Sequence, residues 1–326
     1  MENEARERPS GLAVSGHTNL DLTIRVAHLP RTDRTEPCIE RRETLGGTAA
    51  NIARWSARLG VRTRLLSVVG EDFPPSYREI LSREGVDLSG FQVRPKSFTP
   101  TCWIIHDRRD RQVTVIDQGA MARPPPEWAD RAPLSGCRVV HLTTGDPDVQ
   151  LRLARRARRD GLVVAADPAQ EIGYRWDPVR LERLLRLSEI MFANQTEIEI
   201  ACRKLRCRGP SELLELVPLV VVTLGNRGAR AYTRRGSVRV SGPKVLRISQ
   251  VTGGGDAFRA GFYRGWFSGR ELSKCLSWGL EAGRAAVSRR WMETPMFPVP
   301  RALRSSVLGL RPAVPEGFPL EGGGPS

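Results

Sequence analysis

The stretch Gln250-Val-Thr-Gly-Gly-Gly-Asp-Ala-Phe-Arg-Ala-Gly-Phe262 decides how the chain is read. Gly253, Gly254 and Gly255 stand directly before Asp256, and a helical pattern rich in alanine and aromatic residues runs on from there. Glycines at such a point let the backbone turn tightly and aim successive N–H groups into one cavity. The helix start adds the positive end of its dipole, so the turn suits an anion such as a phosphoryl group. Asp256 falls in the first turn, where the same dipole favours an ionised carboxylate. A proton acceptor beside an anion hole made by Gly253, Gly254 and Gly255 is the pairing that phosphoryl transfer requires.

Two familiar phosphate loops are excluded. The dinucleotide-binding fingerprint needs a third glycine where Phe258 stands, and the Gly-Lys-Ser/Thr step of the other loop occurs nowhere in the chain. The stretch instead resembles the second signature of the ribokinase-like (PfkB) kinases, Asp-x-Thr-Gly-Ala-Gly-Asp. Thr252, Gly253, Gly255 and Asp256 match it, while Gly254 replaces an alanine and Gln250 replaces the leading aspartate. The resemblance implies that Asp256 is the catalytic base and that Thr252 belongs to the nucleotide site. In that family the leading aspartate helps to hold a monovalent cation. A neutral amide at Gln250 attracts such an ion less, so the cation is doubtful and turnover is expected to depend little on K⁺.

With 326 residues the chain can bury a sizeable core. It holds no apolar run long enough to cross a membrane, and residues 1–10 are charged rather than a secretory signal. The six cysteines form neither Cys-x-x-Cys nor a cluster with histidine. They are expected to be reduced thiols in a cytoplasmic protein. The net charge of +15 suggests a nucleic-acid partner, but only four of the 51 basic residues are lysine. The arginines are spread over the whole length, densest at 152–159 and 180–186, where they read as solvated helix faces. The expectation is a small-molecule partner, with no nucleic acid and no membrane.

Near the amino end, Leu12-Ala-Val-Ser-Gly16 reads as a buried first strand, and Asn19-Leu-Asp-Leu-Thr-Ile-Arg-Val26 as a second leaving the sheet edge. Then Gly46-Gly-Thr-Ala-Ala-Asn51-Ile-Ala53 opens a small-residue helix ending at Gly60. This stretch looks like the first signature of the same family, Gly-Gly-x-x-x-Asn-x-Ala. By resemblance, Asn19, Asp21, Gly46, Gly47 and Asn51 would hold the hydroxyls of the substrate. Residues 101–106 and 112–117 are two β-rich runs across a polar turn, hence a hairpin. In ribokinase-like proteins a small sheet of this origin closes over the substrate and is sometimes shared in a homodimer. Trp103, Ile105 and Ile116 are candidates to press on a ligand, or else only hold this lid together.

From residue 139 onward strands and helices alternate: strands at 139–142, 162–167, 190–193 and 220–224, with helices at 147–160, 178–187 and 195–205 between them. Such alternation argues for a parallel sheet covered on both faces, with ligands at the carboxyl ends of its strands. Asn194-x-x-Glu197 matches a family motif of the magnesium–phosphate environment, Glu197 acting through water. The same pattern is also an ordinary helix N-cap with an acid in the first turn. Asn194, Thr223, Gly225 and Gly228 would lie along the nucleotide by resemblance.

The fold class implied is α/β: a three-layer α/β/α sandwich with a mostly parallel central sheet and a small β-sheet lid. Residues 1–10 are expected to be a disordered lead, 11–301 the kinase domain with lid strands from about 19–44 and 98–120, and 302–326 a Pro/Gly-rich flexible tail. The activity implied is Mg²⁺-assisted transfer of the γ-phosphoryl group of ATP to a primary hydroxyl. Thr144-Gly-Asp-Pro147, Asp167-Pro-Ala-Gln-Glu-Ile172 and Phe258-Arg-Ala-Gly261 resemble the archaeal-type nucleoside kinase branch more than ribokinase or fructokinase. The acceptor expected is therefore the 5′-hydroxyl of a ribonucleoside. The alternatives are a kinase of free or phosphorylated sugars and a non-catalytic binder, the latter disfavoured by the intact Asp256.

Overall fold

Residues 11–109, 111–242 and 253–288 are described in the computed structural model of the chain. The expected lead and tail lie outside them. The strands in chain order are β1 (Gly11–Ser15), β2 (Asn19–Arg25), β3 (Glu40–Gly46), β4 (Thr63–Gly70), β5 (Val86–Asp87), β6 (Phe91–Arg94) and β7 (Thr101–His106). They continue as β8 (Gln112–Asp117), β9 (Cys137–Leu142), β10 (Val163–Ala166), β11 (Ile190–Asn194), β12 (Leu219–Thr223), β13 (Ala229–Thr233) and β14 (Gly236–Val240). The helices are α1 (Thr48–Arg58), α2 (Pro75–Arg83), α3 (Pro126–Arg131), α4 (Pro147–Arg159), α5 (Pro178–Arg186), α6 (Gln195–Leu205), α7 (Gly254–Phe267) and α8 (Leu272–Ser288).

The large sheet runs β14-β13-β12-β11-β10-β9-β1-β4-β5, with β6 also on β4. All its pairings are parallel except β12 with β13 and β13 with β14. Successive residues of its central strands serve opposite faces. Val139 and Val163 join the apolar layer that contains Phe258 and Phe262 of α7, whereas Val140 and Val164 join the layer that contains Leu153 of α4 and Leu181 of α5. This period of two gives three layers from one chain. A second sheet, β3-β2-β7-β8, forms the lid.

Local sequence explains where the covering helices start. Asp146 accepts from the N–H groups of Asp148 and Val149, with Pro147 following, and Asp177 does the same for Arg180 ahead of Pro178. Asn194 and Glu197 form a complete capping box at the start of α6. The strands and helices expected from the sequence are present within a residue or two. The sequence reading did not assign α2, β5, β6, α3, the β13–β14 hairpin or α8, and gave β3 only as part of the lid range 19–44.

Candidate active site

The lid and the carboxyl ends of the central strands enclose one cleft of about 740 Å³. Asn19, Asp21, Gly47 and Asn51 line it from one side, and Asn194, Glu197, Thr223, Gly225 and Gly228 also contribute. Gly253, Gly254, Gly255 and Asp256 complete the wall where α7 begins. Two stretches more than 200 residues apart in sequence meet directly here: Asn51 Nδ2 donates to Asp256 Oδ2 at 3.1 Å. Asn51, expected against the substrate, thus also orients the candidate base.

Gly253 is the N-cap of α7 at φ 86°, a left-handed conformation that disfavours any side chain. The helix therefore begins with backbone N–H groups and no side-chain cap, which leaves them for a ligand. Gly46 is required for another reason. A Cβ there would lie 1.9 Å from Asp21 Oδ2, so the glycine backbone itself packs against that carboxylate. Gly46 is accordingly behind Asp21 and not part of the cleft wall.

The acids of the cleft, Asp21, Glu197 and Asp256, are all shifted upward, first by desolvation. Desolvation raises Asp256 to about 7, against the opposing charge of Arg259 and the hydrogen bond from Asn51. Desolvation, then the charge of Asp256, raises Asp21 to about 7, with Asn19 opposing. Two carboxyls in contact through their fields titrate as a pair.

Asn194 Oδ1 accepts from the Glu197 N–H at 2.9 Å, and Glu197 Oε2 accepts from the Asn194 N–H at 2.8 Å. Both residues are thus helix caps and cleft walls together. Thr223 ends β12, and Gly225 at φ 61° faces open space. The glycine at 228 is demanded by packing, since a Cβ would meet Val240 O at 2.0 Å. Thr252 and Gln250 lie outside the described residues. No group of three or more His, Cys, Asp or Glu side chains suited to a metal is found among the described residues.

The lid face needs a correction. Cys102, Ile104, Gln112 and Thr114 line the cleft. Because side chains alternate along a strand, Trp103 and Ile105 point to the opposite, outer face. Ile116 pairs with Cys102 and shares the inner face. The turn 144–147 also serves the scaffold: Asp146 caps α4, and the Gly145 N–H donates to Glu171 at 2.6 Å.

Three contributors were given no site role from the sequence. Leu280, Gly283, Arg284 and Val287 of α8 line the cleft, as does Gln170 after β10, and Arg259 lies one turn beyond Asp256. Arg259 is 5% exposed and its Nε and Nη2 both donate to Asp167, the Nη2 bond at 2.8 Å. An arginine one turn past the candidate base in a cleft-side helix was the available signal.

The pattern of the pfkB family carbohydrate kinases matches residues 10–296. The chain is similar to a nucleoside kinase of Methanothermobacter thermautotrophicus, 33% identical over 272 residues that cover 81% of this chain and 85% of that protein. It is also similar to an ATP-dependent ribose-1-phosphate kinase of Halopiger xanaduensis, 30% identical over 84% of this chain and 91% of that one. The crystal structure of the Methanocaldococcus jannaschii nucleoside kinase superposes with a TM-score of 0.81 at 28% identity, covering 89% of this chain and 95% of that one. With its two signatures meeting across one cleft, the chain belongs to the pfkB family and catalyses ATP-dependent transfer of a phosphoryl group to a hydroxyl group.

Proposed function

We propose that the acceptor is the 5′-hydroxyl of a ribonucleoside. The observation that carries this reading is the chemistry of the lid-side wall. Cys102, Ile104, Gln112 and Thr114, with Ala169 and Gln170, offer apolar surface and neutral hydrogen-bonding groups. Such a wall suits the face and edge of a nucleobase better than the phosphate of a sugar phosphate. Asp21 and Asn19 hold ribose hydroxyls, and Asn51 holds Asp256 toward the 5′-oxygen.

Asp256 accepts the hydroxyl proton as attack develops, and the N–H groups from Gly253 to Asp256 stabilise charge on the transferring group. The nucleotide lies along Asn194, Thr223, Gly225 and Gly228. Mg²⁺ entering with ATP would supply neutralisation of the charge on its phosphates. Glu197 fits an outer-shell role toward that ion, because only its Oε2 is committed to the helix cap. A monovalent cation is not part of the reading. The free thiols among the described residues support a cytoplasmic setting.

A panel of ribonucleosides, 2′-deoxyribonucleosides, ribose, ribose 1-phosphate, fructose and fructose 6-phosphate, assayed for ADP release, tests the acceptor. A ribonucleoside is expected to have the highest kcat/KM, with a nucleoside 5′-monophosphate as product. If a sugar or sugar phosphate exceeds every nucleoside, the acceptor is that sugar instead.

The outer face of the lid supports a homodimer. Leu22, Ile24, Trp103, Ile105, Val113 and Val115 share that face by strand alternation and register, and Val113 and Val115 are 47% and 54% exposed. An apolar sheet face of this kind is suited to burial against a second copy. Sedimentation velocity is expected to read a dimer that Val115→Glu converts to monomer. A monomeric unaltered protein at micromolar concentration would remove this part of the proposal.

A further inference from the structure

We propose that Arg259 is a second catalytic residue of the transfer, its guanidinium contacting the transferring phosphoryl group, with Asp167, His141 and Tyr263 as positioning residues behind it. The inference rests on phosphotransfer alone, and holds for whichever acceptor the panel selects.

Arg259 stands three residues after Asp256 on α7, so the two share one face of the helix. Two of the three nitrogens of its planar group are taken, along one edge. Nε and Nη2 grip the two oxygens of Asp167, immediately after β10. The third nitrogen, Nη1, lies 2.9 Å from where a Cβ on Gly255 would stand. The remaining edge is therefore directed to the glycine turn, where the anion hole is. Only glycine at 255 leaves that approach clear.

The grip is itself braced. His141 Nε2 lies 3.1 Å from Asp167 Oδ2, and His141 Nδ1 lies 2.7 Å from the Tyr263 hydroxyl. Burial alone would raise Asp167, but Arg259 and His141 outweigh it and hold the carboxyl at about 2. Burial keeps His141 neutral. An ionised Asp167 only accepts, so His141 carries its proton on Nε2 and Tyr263 donates to Nδ1. Asp167, His141 and Tyr263 are all fully enclosed. Burying such a chain is costly for stability alone, but it locks one guanidinium rotamer, as a reacting centre needs.

Charge points the same way. The other cation lining the described cleft, Arg284, is paired with Glu281 on its own helix. Arg259 faces Asp167, Asp256 and Glu197 together; of these Asp256 and Glu197 line the cleft, so an incoming phosphoryl group meets acids there and needs a fixed cation among them. In the step itself the acceptor oxygen–phosphorus bond forms and the bond to the β,γ-bridging oxygen breaks. The electron pair leaves with ADP, the hydroxyl proton passes to Asp256, and Arg259 donates to a non-bridging oxygen.

A purely structural ion pair makes a different forecast. Replacing both charges by neutral partners would leave stability and turnover nearly unchanged. The test uses the double variant Arg259→Gln/Asp167→Asn, which leaves no unpaired buried charge, and Arg259→Lys in parallel. Removing the Arg259 charge raises Asp256 further, so both are assayed from pH 7 to 10 and compared on the high-pH plateau, where loss of an ionised base cannot explain the result. Expected are a thermal midpoint close to that of the unaltered protein, kcat lower by ~10²-fold or more, and little change in acceptor KM. Binding of ADP with aluminium fluoride and acceptor should weaken more than tenfold, with ADP alone unaffected. A double variant within about fivefold of normal kcat, or equal weakening of ADP with and without aluminium fluoride, would overturn the proposal.

Discussion

Asp256→Asn is expected to bind ATP normally and to lose turnover by ~10²–10⁴-fold in kcat, the range usual for a general base. The change preserves shape and the contact with Asn51 Nδ2, so it removes proton acceptance and little else. Its effect on stability has the opposite sign. The folded-state pKa lies above the unfolded one, at about 7, so the folded protein binds this proton more tightly than the unfolded chain. Stability then falls as pH rises from about 4 through 7, and the carboxylate is a cost at pH 8. Asp256→Asn should therefore raise the thermal midpoint at pH 8 and leave it unchanged near pH 4. Retention of more than about a tenth of kcat would count against the base, and a lowered midpoint at pH 8 would count against the desolvated acid.

Asp21→Ala is expected to weaken the acceptor and spare ATP. Loss of a hydrogen-bonded charged partner costs about 1.5–3 kcal/mol, or ~10–100-fold in binding. Asp21 is pressed between the backbone of Gly46 and the cleft, with Asn19 beside it. Acceptor KM should rise by that factor with ATP KM within a few-fold. The unaltered protein should in turn disfavour 2′-deoxyribonucleosides, which lack a hydroxyl for this acid. Equal losses toward both ligands, or indifference to the missing hydroxyl, would show that Asp21 does not hold ribose.

Much of this site was legible in the sequence because its residues do their work through the backbone. A glycine before a helix must leave its N–H groups open, and Gly253 does so. Asn194 with Glu197 reads as a cap and is one. The central strands were legible from their unbroken apolar runs, since each is buried on both faces. β3 was not, because Glu40-Arg-Arg-Glu-Thr is charged and largely solvated, an edge strand without an apolar face. The facing of Trp103 was missed for a simpler reason. Size suggested an aromatic on the ligand, but register puts Cys102 and Ile104 inside. The position of Arg259 one turn past Asp256 was visible, but its grip on Asp167, 92 residues away, could not be read without the fold.

The central claim is that a desolvated Asp256 accepts the proton of the acceptor hydroxyl in the cleft beside the glycine turn. The most direct measurement is the pH dependence of kcat/KM for the best acceptor, from pH 5.5 to 9 at fixed Mg²⁺, ATP and ionic strength. The ionised form is the active one, so the predicted profile rises at least tenfold per pH unit at its acid end and levels off above about 7, where Asp256 and the coupled Asp21 titrate. A profile flat from pH 5.5 upward would contradict the account, because an acid at its ordinary value would already be ionised throughout.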